Sequence, residues 1–213
     1  MRGMDLDLDG LVGRARSLVL PGRRRILGIA GPPGAGKSTL AGELVRRLDG
    51  QAVLVPMDGF HLANGELRRL GRTERKGAPD TFDAAGYAAL LARLRSPDPG
   101  TVVYAPDFDR SLEEALAGSI PVAPQVPLVV TEGNYLLHDE GPWAQVRDLV
   151  DEIWYLHVDH GERVRRLVER HVRHGKARPY AERWVEESDE VNARLVAAGR
   201  SRADLVITGA LTG

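Results

Sequence analysis

A stretch beginning at Gly28, GIAGPPGAGKSTLAGELVRRL, sets a short apolar run ahead of a crowd of glycines and prolines, then Lys-Ser-Thr, then leucines at helical spacing. Within it Gly31 to Ser38 fits Gly-x4-Gly-Lys-[Ser/Thr] between an expected strand and an expected helix. Glycines let the backbone turn around an anion without side-chain clash, so successive N–H groups point at phosphate oxygens, and the helix start adds its positive dipole end. Lys37 would reach the β- and γ-phosphates and Ser38 would ligate Mg2+. Gly31, Gly34, Ala35, Gly36 and Thr39 complete the expected nucleotide contacts. Kinases, motor ATPases and GTPase switches all use such a loop. The chain lacks the Asn-Lys-x-Asp signature that reads guanine, which argues against a GTP switch.

Two carboxylates follow at strand ends. The run Ala52–Met57 delivers Asp58 to the sheet edge that carries the loop, because parallel strands all point the same way. There Asp58 could accept the proton of an attacking hydroxyl, help organise magnesium, or simply cap a turn before Gly59. PLVVTEG ends with Glu132 in the corresponding place, like the carboxylate that acts on magnesium through water in such sites, or as a capping carboxylate. In GERVRRLVERHVRHGK, at 100° per residue, Arg163, Arg166, Arg170 and Arg173 share one sector while Val164, Leu167, Val168 and Val172 lie on the far side. That gives a packed face and a cationic one, either solvated or aimed at phosphate. His157, His160, His171 and His174 follow no zinc-ligand pattern and are expected on the surface or in structural roles.

The elements that must position these residues can be read from periodicity. A helix is expected over 5–19 and strands over 25–30, 52–57, 127–131, 153–158 and 204–208. Further helices are expected near 84–94, 142–149, 161–174 and 180–199. Residues 59–82 read as loop-rich. The span 101–127, with prolines at 106, 121, 124 and 127, reads as short strands with a helical piece around Leu112–Ala117. Strands alternating with helices predict a three-layer α/β/α P-loop NTPase fold with a central parallel sheet of about five strands. The 213 residues suit a single domain, with 1–24 as a lead-in.

A net charge of −1 offers no basic surplus for nucleic acid. No apolar run approaches the roughly 18 residues of a membrane span. The opening residues carry three aspartates and do not read as a secretory signal, so a cytoplasmic location is expected. Absence of cysteine rules out disulfides and thiolate metal sites. Only three of the 29 basic residues are lysines, Lys37, Lys76 and Lys176, as expected of arginine-rich genome composition.

MDGFH at 57–61, RKGAPDTFD at 75–83, APDFDR at 105–110, EGNYLL at 132–137 and the arginine-rich helix, together with the loop, resemble the uridine kinase, phosphoribulokinase and bacterial pantothenate kinase superfamily. The likeness spans Gly28 to Ile207 and is strongest to its nucleoside/nucleotide kinase-like, or fructokinase-like, branch. It implies that Asp58 is the catalytic base and that His61, Asp83, Phe108 and Arg110 surround the acceptor. It further implies a lid at about 160–178 whose Arg166 and Arg170 neutralise the migrating phosphoryl group. Phe108 stands where uridine kinases have tyrosine, and His171 where the family usually has aspartate. SDEVNARL at 188–195 recurs in that branch, and its Asn192 reads as a substrate contact or a helix-capping and packing residue. The resemblance implies an ATP- and magnesium-dependent kinase acting on a hydroxyl of a small sugar-like, pantothenate-like or nucleoside-like metabolite, and homodimers are common in the group. The rivals are a nucleoside kinase proper and a nucleotide-sensing module. The module has no need of an acceptor pocket.

Overall fold

The computed structural model describes residues 7–96, 98 and 100–208. In chain order the elements are α1 (Leu8–Ser17), β1 (Arg25–Ala30), α2 (Lys37–Arg47), β2 (Ala52–Leu54), α3 (Asn64–Arg69) and α4 (Ala84–Arg95). They continue with β3 (Val103–Asp109), β4 (Glu114–Val122), β5 (Leu128–Gly133), α5 (Val146–Leu149), β6 (Glu152–His157), α6 (His160–Arg173), α7 (Arg178–Trp184), α8 (Glu190–Ala198) and β7 (Leu205–Thr208). Residues 5 and 6, where the first helix was expected to begin, lie outside the described residues. Asp7 caps α1 by accepting from the Gly10 N–H.

Five strands form one parallel sheet in the order β2-β5-β1-β6-β7. Successive residues of a strand face opposite sides, and the core divides accordingly. Ile26, Val129, Ile153, Tyr155 and Val206 pack on one face with α4, α5 and α8. Leu27, Ile29, Val130, Trp154 and Ile207 pack on the other with α1 and α2. These are the three expected layers. β5 is buried at every position, as suits a strand covered on both faces. The chain leaves β1 toward β2 and later crosses β1 to reach β6, so the crevice at the carboxyl ends opens beside β1.

Two expectations need correction. Leu112–Ala117 is not helical: residues 103–122 form an antiparallel hairpin, with Phe108 opposite Ala115. The Asp109 carboxylate accepts from the Ser111 and Leu112 N–H groups and from the Ser111 hydroxyl, which makes an Asx turn at the tip. Glu113 completes the reversal at φ 53°. Pro106, which has no N–H, sits where the register shifts between Ala105 and Asp107. The second correction concerns β2, which ends at Leu54. Pro56 cannot extend the ladder, and Met57–Phe60 turns instead as a 3-10 helix. That turn lies so near the hairpin that a Cβ on Gly59 would stand 2.4 Å from the Pro106 carbonyl oxygen. Any side chain there would separate Asp58 from the hairpin.

The expected helix over 180–199 is α7 and α8 joined by a π-helical turn, Val185–Asp189. Leu167 and Val168 of α6 bury themselves against Ala181 and Val185, a small core separate from the sheet. No helix among the described residues is long and apolar enough to cross a membrane.

Candidate active site

β1 and β5 end side by side, with Ile29 opposite Glu132, so the glycine-rich loop and Glu132 leave the sheet at one edge. α2 starts at Lys37 behind Gly36, whose φ of 92° directs the helix N-terminus into the loop. Gly34, at φ 78°, touches α6: a Cβ there would stand 2.7 Å from Leu167 Cγ. Arg163 fastens the same contact. It is buried, donates to the Pro33 carbonyl at 3.3 Å and is ion-paired with Glu190 of α8.

Lys37 is 8% exposed; its ammonium donates to Asn134 Oδ1 at 2.7 Å and to the Pro32 carbonyl at 3.2 Å. Burial pushes its pKa down, while the carboxylates of Glu132 and Asp58 work against that shift. Glu132 is buried too, and its pKa is raised by desolvation against the pull of Lys37. Ser38 Oγ donates to Glu132 Oε1 at 2.8 Å. Two hard oxygen donors this close, beside a backbone cradle for anions, fit a magnesium ion carried by a nucleotide.

Asp58, carried by the 3-10 turn after β2, is ion-paired with Arg110 of the hairpin at 3.1 Å. His61 Nε2 stands 4.0 Å from its other oxygen. The His61 ring stacks on Phe82 with centroids 3.9 Å apart and packs against Phe108 at 5.0 Å. Burial lowers the His61 pKa to about 4, and Nδ1 has no hydrogen-bond partner among the described residues. Histidine is therefore neutral here at physiological pH.

One cavity of about 410 Å³ joins these groups. It is lined by Gly34, Lys37, Ser38 and Glu132 on the loop side, and by Asp58, His61, Phe108 and Arg110 opposite. Arg170 of α6 also lines it. Six expected residues, Gly31, Ala35, Gly36, Thr39, Asp83 and Arg166, are not in the lining. Arg166 is bound to Glu162 at 2.7 Å and is not in the lining. The Asp83 carboxylate caps α4 by accepting from the Gly86 N–H at 2.8 Å. Thr39 is exposed on the first turn of α2. Gly31 and Ala35 are buried and shape the loop from behind. Sequence reasoning did not single out Asn134, although it sits in EGNYLL, nor Lys76 and Lys176, whose rarity was the available signal. His171 lines the cavity, paired with Asp189 at 2.9 Å; Asn192 lines it from α8.

The model of the Phosphoribulokinase / Uridine kinase family matches residues 26–208. The chain belongs to that family. A Schizosaccharomyces pombe protein named "Putative uridine kinase C227.14" is 33% identical, covering 93% of this chain and 89% of its own. The Escherichia coli "Uncharacterized protein YggC" is 32% identical over 91% and 81%. The crystal structure of a "putative fructose transport system kinase" from Silicibacter sp. TM1040 superimposes with a TM-score of 0.87 at 36% identity, covering 95% of this chain and all of that one. This protein is thus an ATP-dependent P-loop kinase of the phosphoribulokinase / uridine kinase family.

Proposed function

We propose that the protein moves the γ-phosphoryl group of ATP onto a hydroxyl of a small-molecule acceptor held beside the phosphate loop. One observation carries this reading: Lys37, Ser38 and Glu132 share a single cavity with Asp58 and with Phe108 and Arg110 of the hairpin. A nucleotide sensor needs the first three and has no use for a walled compartment next to them. The cavity of about 410 Å³ spans both the phosphate cradle and the facing wall.

Asp58 takes the acceptor's proton as its oxygen bonds to phosphorus and the bond from phosphorus to the β,γ-bridging oxygen breaks, leaving ADP. Arg110 holds the Asp58 carboxylate in position. Ser38 and Glu132 would hold the magnesium ion, which draws negative charge from the β- and γ-oxygens. Lys37 and Arg170 supply fixed positive charge where charge migrates. The α6–α7 segment acts as a lid over the nucleotide.

A nucleoside acceptor is the second reading, favoured by the aromatic group of His61, Phe82 and Phe108. Against it, Lys76 and Arg110 already lie over the Phe108 ring, at 5.1 and 5.6 Å from its centroid, where a base would stack. The test is ADP release from Mg-ATP in the presence of polyols, sugars, nucleosides, hydroxy acids and their phosphate esters, with the product identified by phosphorus NMR. The expected result is an acceptor that accelerates ADP release and becomes a phosphate ester. ADP release indifferent to every hydroxyl compound, with only inorganic phosphate formed, contradicts the proposal.

A further inference from the structure

Lys37, Lys76 and Lys176 are the chain's only lysines, and all three line the same cavity. Everywhere else the basic residue is arginine. An ammonium is a compact point charge with three donors on one centre, where guanidinium is a planar fork, so the two are not interchangeable at a close contact. The phosphate loop accounts for Lys37. It does not account for the other two.

Lys76 donates to Asn64 Oδ1 at 2.9 Å and to the Glu113 carbonyl at 2.6 Å. Its third donor has no hydrogen-bond partner among the described residues; the Glu113 carboxylate stands 3.8 Å away. Lys176, between α6 and α7, lies over the Trp184 ring at 4.2 Å from its centroid. Its ammonium makes no hydrogen bond or ion pair among the described residues. The carboxylates that influence Lys176 are Asp189, which His171 already engages at 2.9 Å, and again Glu113. Glu113 sits at the hairpin tip, 59% exposed, near both lysines and hydrogen-bonded through its side chain to neither. Its carboxylate marks where a negative group is wanted.

Position separates this pair from the nucleotide. Lys37 is held by Asn134 and the Pro32 carbonyl on the loop, Lys76 by Asn64 and the Glu113 carbonyl at the hairpin tip, and Lys176 lies over Trp184 of α7. Arg170 of α6 lines the same cavity. Arg110, the remaining cation of this wall, is committed to Asp58. We infer that Lys76 and Lys176 form a subsite for an anionic group on the acceptor, a phosphate ester or a carboxylate, with Glu113 as the carboxylate it displaces. The inference rests on the compartment being the acceptor's, as proposed above. It narrows the substrate class to hydroxyl compounds that already carry a negative charge.

The test is calorimetric titration of inorganic phosphate, and separately of acetate, into protein saturated with magnesium and the β,γ-imido analogue of ATP. Wild type should bind one of these anions at one site, phosphate more tightly if the acceptor is a phosphate ester and acetate if it is a carboxylate. Lys76→Met and Lys176→Met should each weaken that binding roughly 10- to 100-fold, as expected for losing a hydrogen bond to a charged partner. Lys76 also holds Asn64, so its variant can loosen the hairpin; Lys176 contacts only the rings of Trp184 and Tyr180, which methionine can still cover, and its variant decides alone if the other fails to fold. Absence of saturable binding of either anion, or binding unchanged in Lys176→Met, overturns the subsite. Rapid phosphorylation of a neutral acceptor whose phosphate ester and carboxylate forms are inert also overturns it, while leaving the kinase reading standing.

Discussion

On the loop side of the cavity buried Lys37 is held by Asn134 and buried Glu132 accepts from Ser38, whereas the facing wall stands on half-exposed charges such as Asp58 and Arg110. The first side is built from the ends of two central strands and the helix between them. The second is assembled from a short 3-10 turn and a hairpin. A triphosphate presents one fixed pattern of charge to any enzyme, so its cradle can be rigid. Acceptors differ from one enzyme to another, and the wall that faces them here is built from separate pieces of chain.

If that contrast is sound, the largest loss should come from the buried side. Lys37→Ala is expected to lower kcat/KM by roughly 10³-fold or more, since it removes a desolvated charge from the migrating oxygens. The fold should remain, which circular dichroism checks. Activity within tenfold of wild type would mean the loop is not the catalytic cradle.

His61 tests how firmly the facing wall is packed. Its folded pKa of about 4 lies below the ordinary 6.5. Below pH 6.5 the unfolded chain therefore binds the proton that the folded chain refuses, and stability falls as pH drops from about 6.5 toward about 4. The full difference is about 3 kcal/mol. Urea unfolding of wild type and His61→Phe across that range should show the variant's curve flatter; parallel curves would mean His61 is solvated.

Along α6, Arg170 and Arg166 should part company. Arg170→Ala is expected to lower kcat about 10- to 100-fold with less effect on ATP affinity, the pattern of a contact that strengthens as charge migrates. Arg166→Ala should leave kcat within about twofold, because Arg166 is outside the cavity lining and its half-exposed i,i+4 pair with Glu162 is worth a few tenths of a kcal/mol. A large loss at Arg166 would require the lid to close further and release that pair.

The same contrast governs what the sequence revealed. β1 and β5 are continuous apolar runs bounded by Gly, Pro or charge, and the loop's spacing admits one geometry, so this side was legible down to Ser38 and Glu132. Hairpin β3-β4 was not, because β4 is largely exposed and Pro106 and Pro121 interrupt a period of two. Helical spacing placed Arg163, Arg166 and Arg170 in one sector, but a wheel has no axial coordinate. It could not tell that Arg163 would lie against Pro33 or that Arg170 would reach the cavity. Asp83 reads equally well as a ligand or as a cap, and only the Gly86 N–H beside it identifies the cap. Lys76 and Lys176 reach one cavity through loops whose paths no local pattern fixes.

The central claim is that Asp58 performs chemistry on an acceptor rather than shaping a turn. Asp58→Asn keeps the side chain's size and its capping ability, so ATP affinity and acceptor-dependent transfer measured together separate the two roles. The account predicts unchanged ATP affinity with transfer reduced roughly 10²- to 10⁴-fold, the range of a lost general base. Transfer equal to wild type in Asp58→Asn would contradict it.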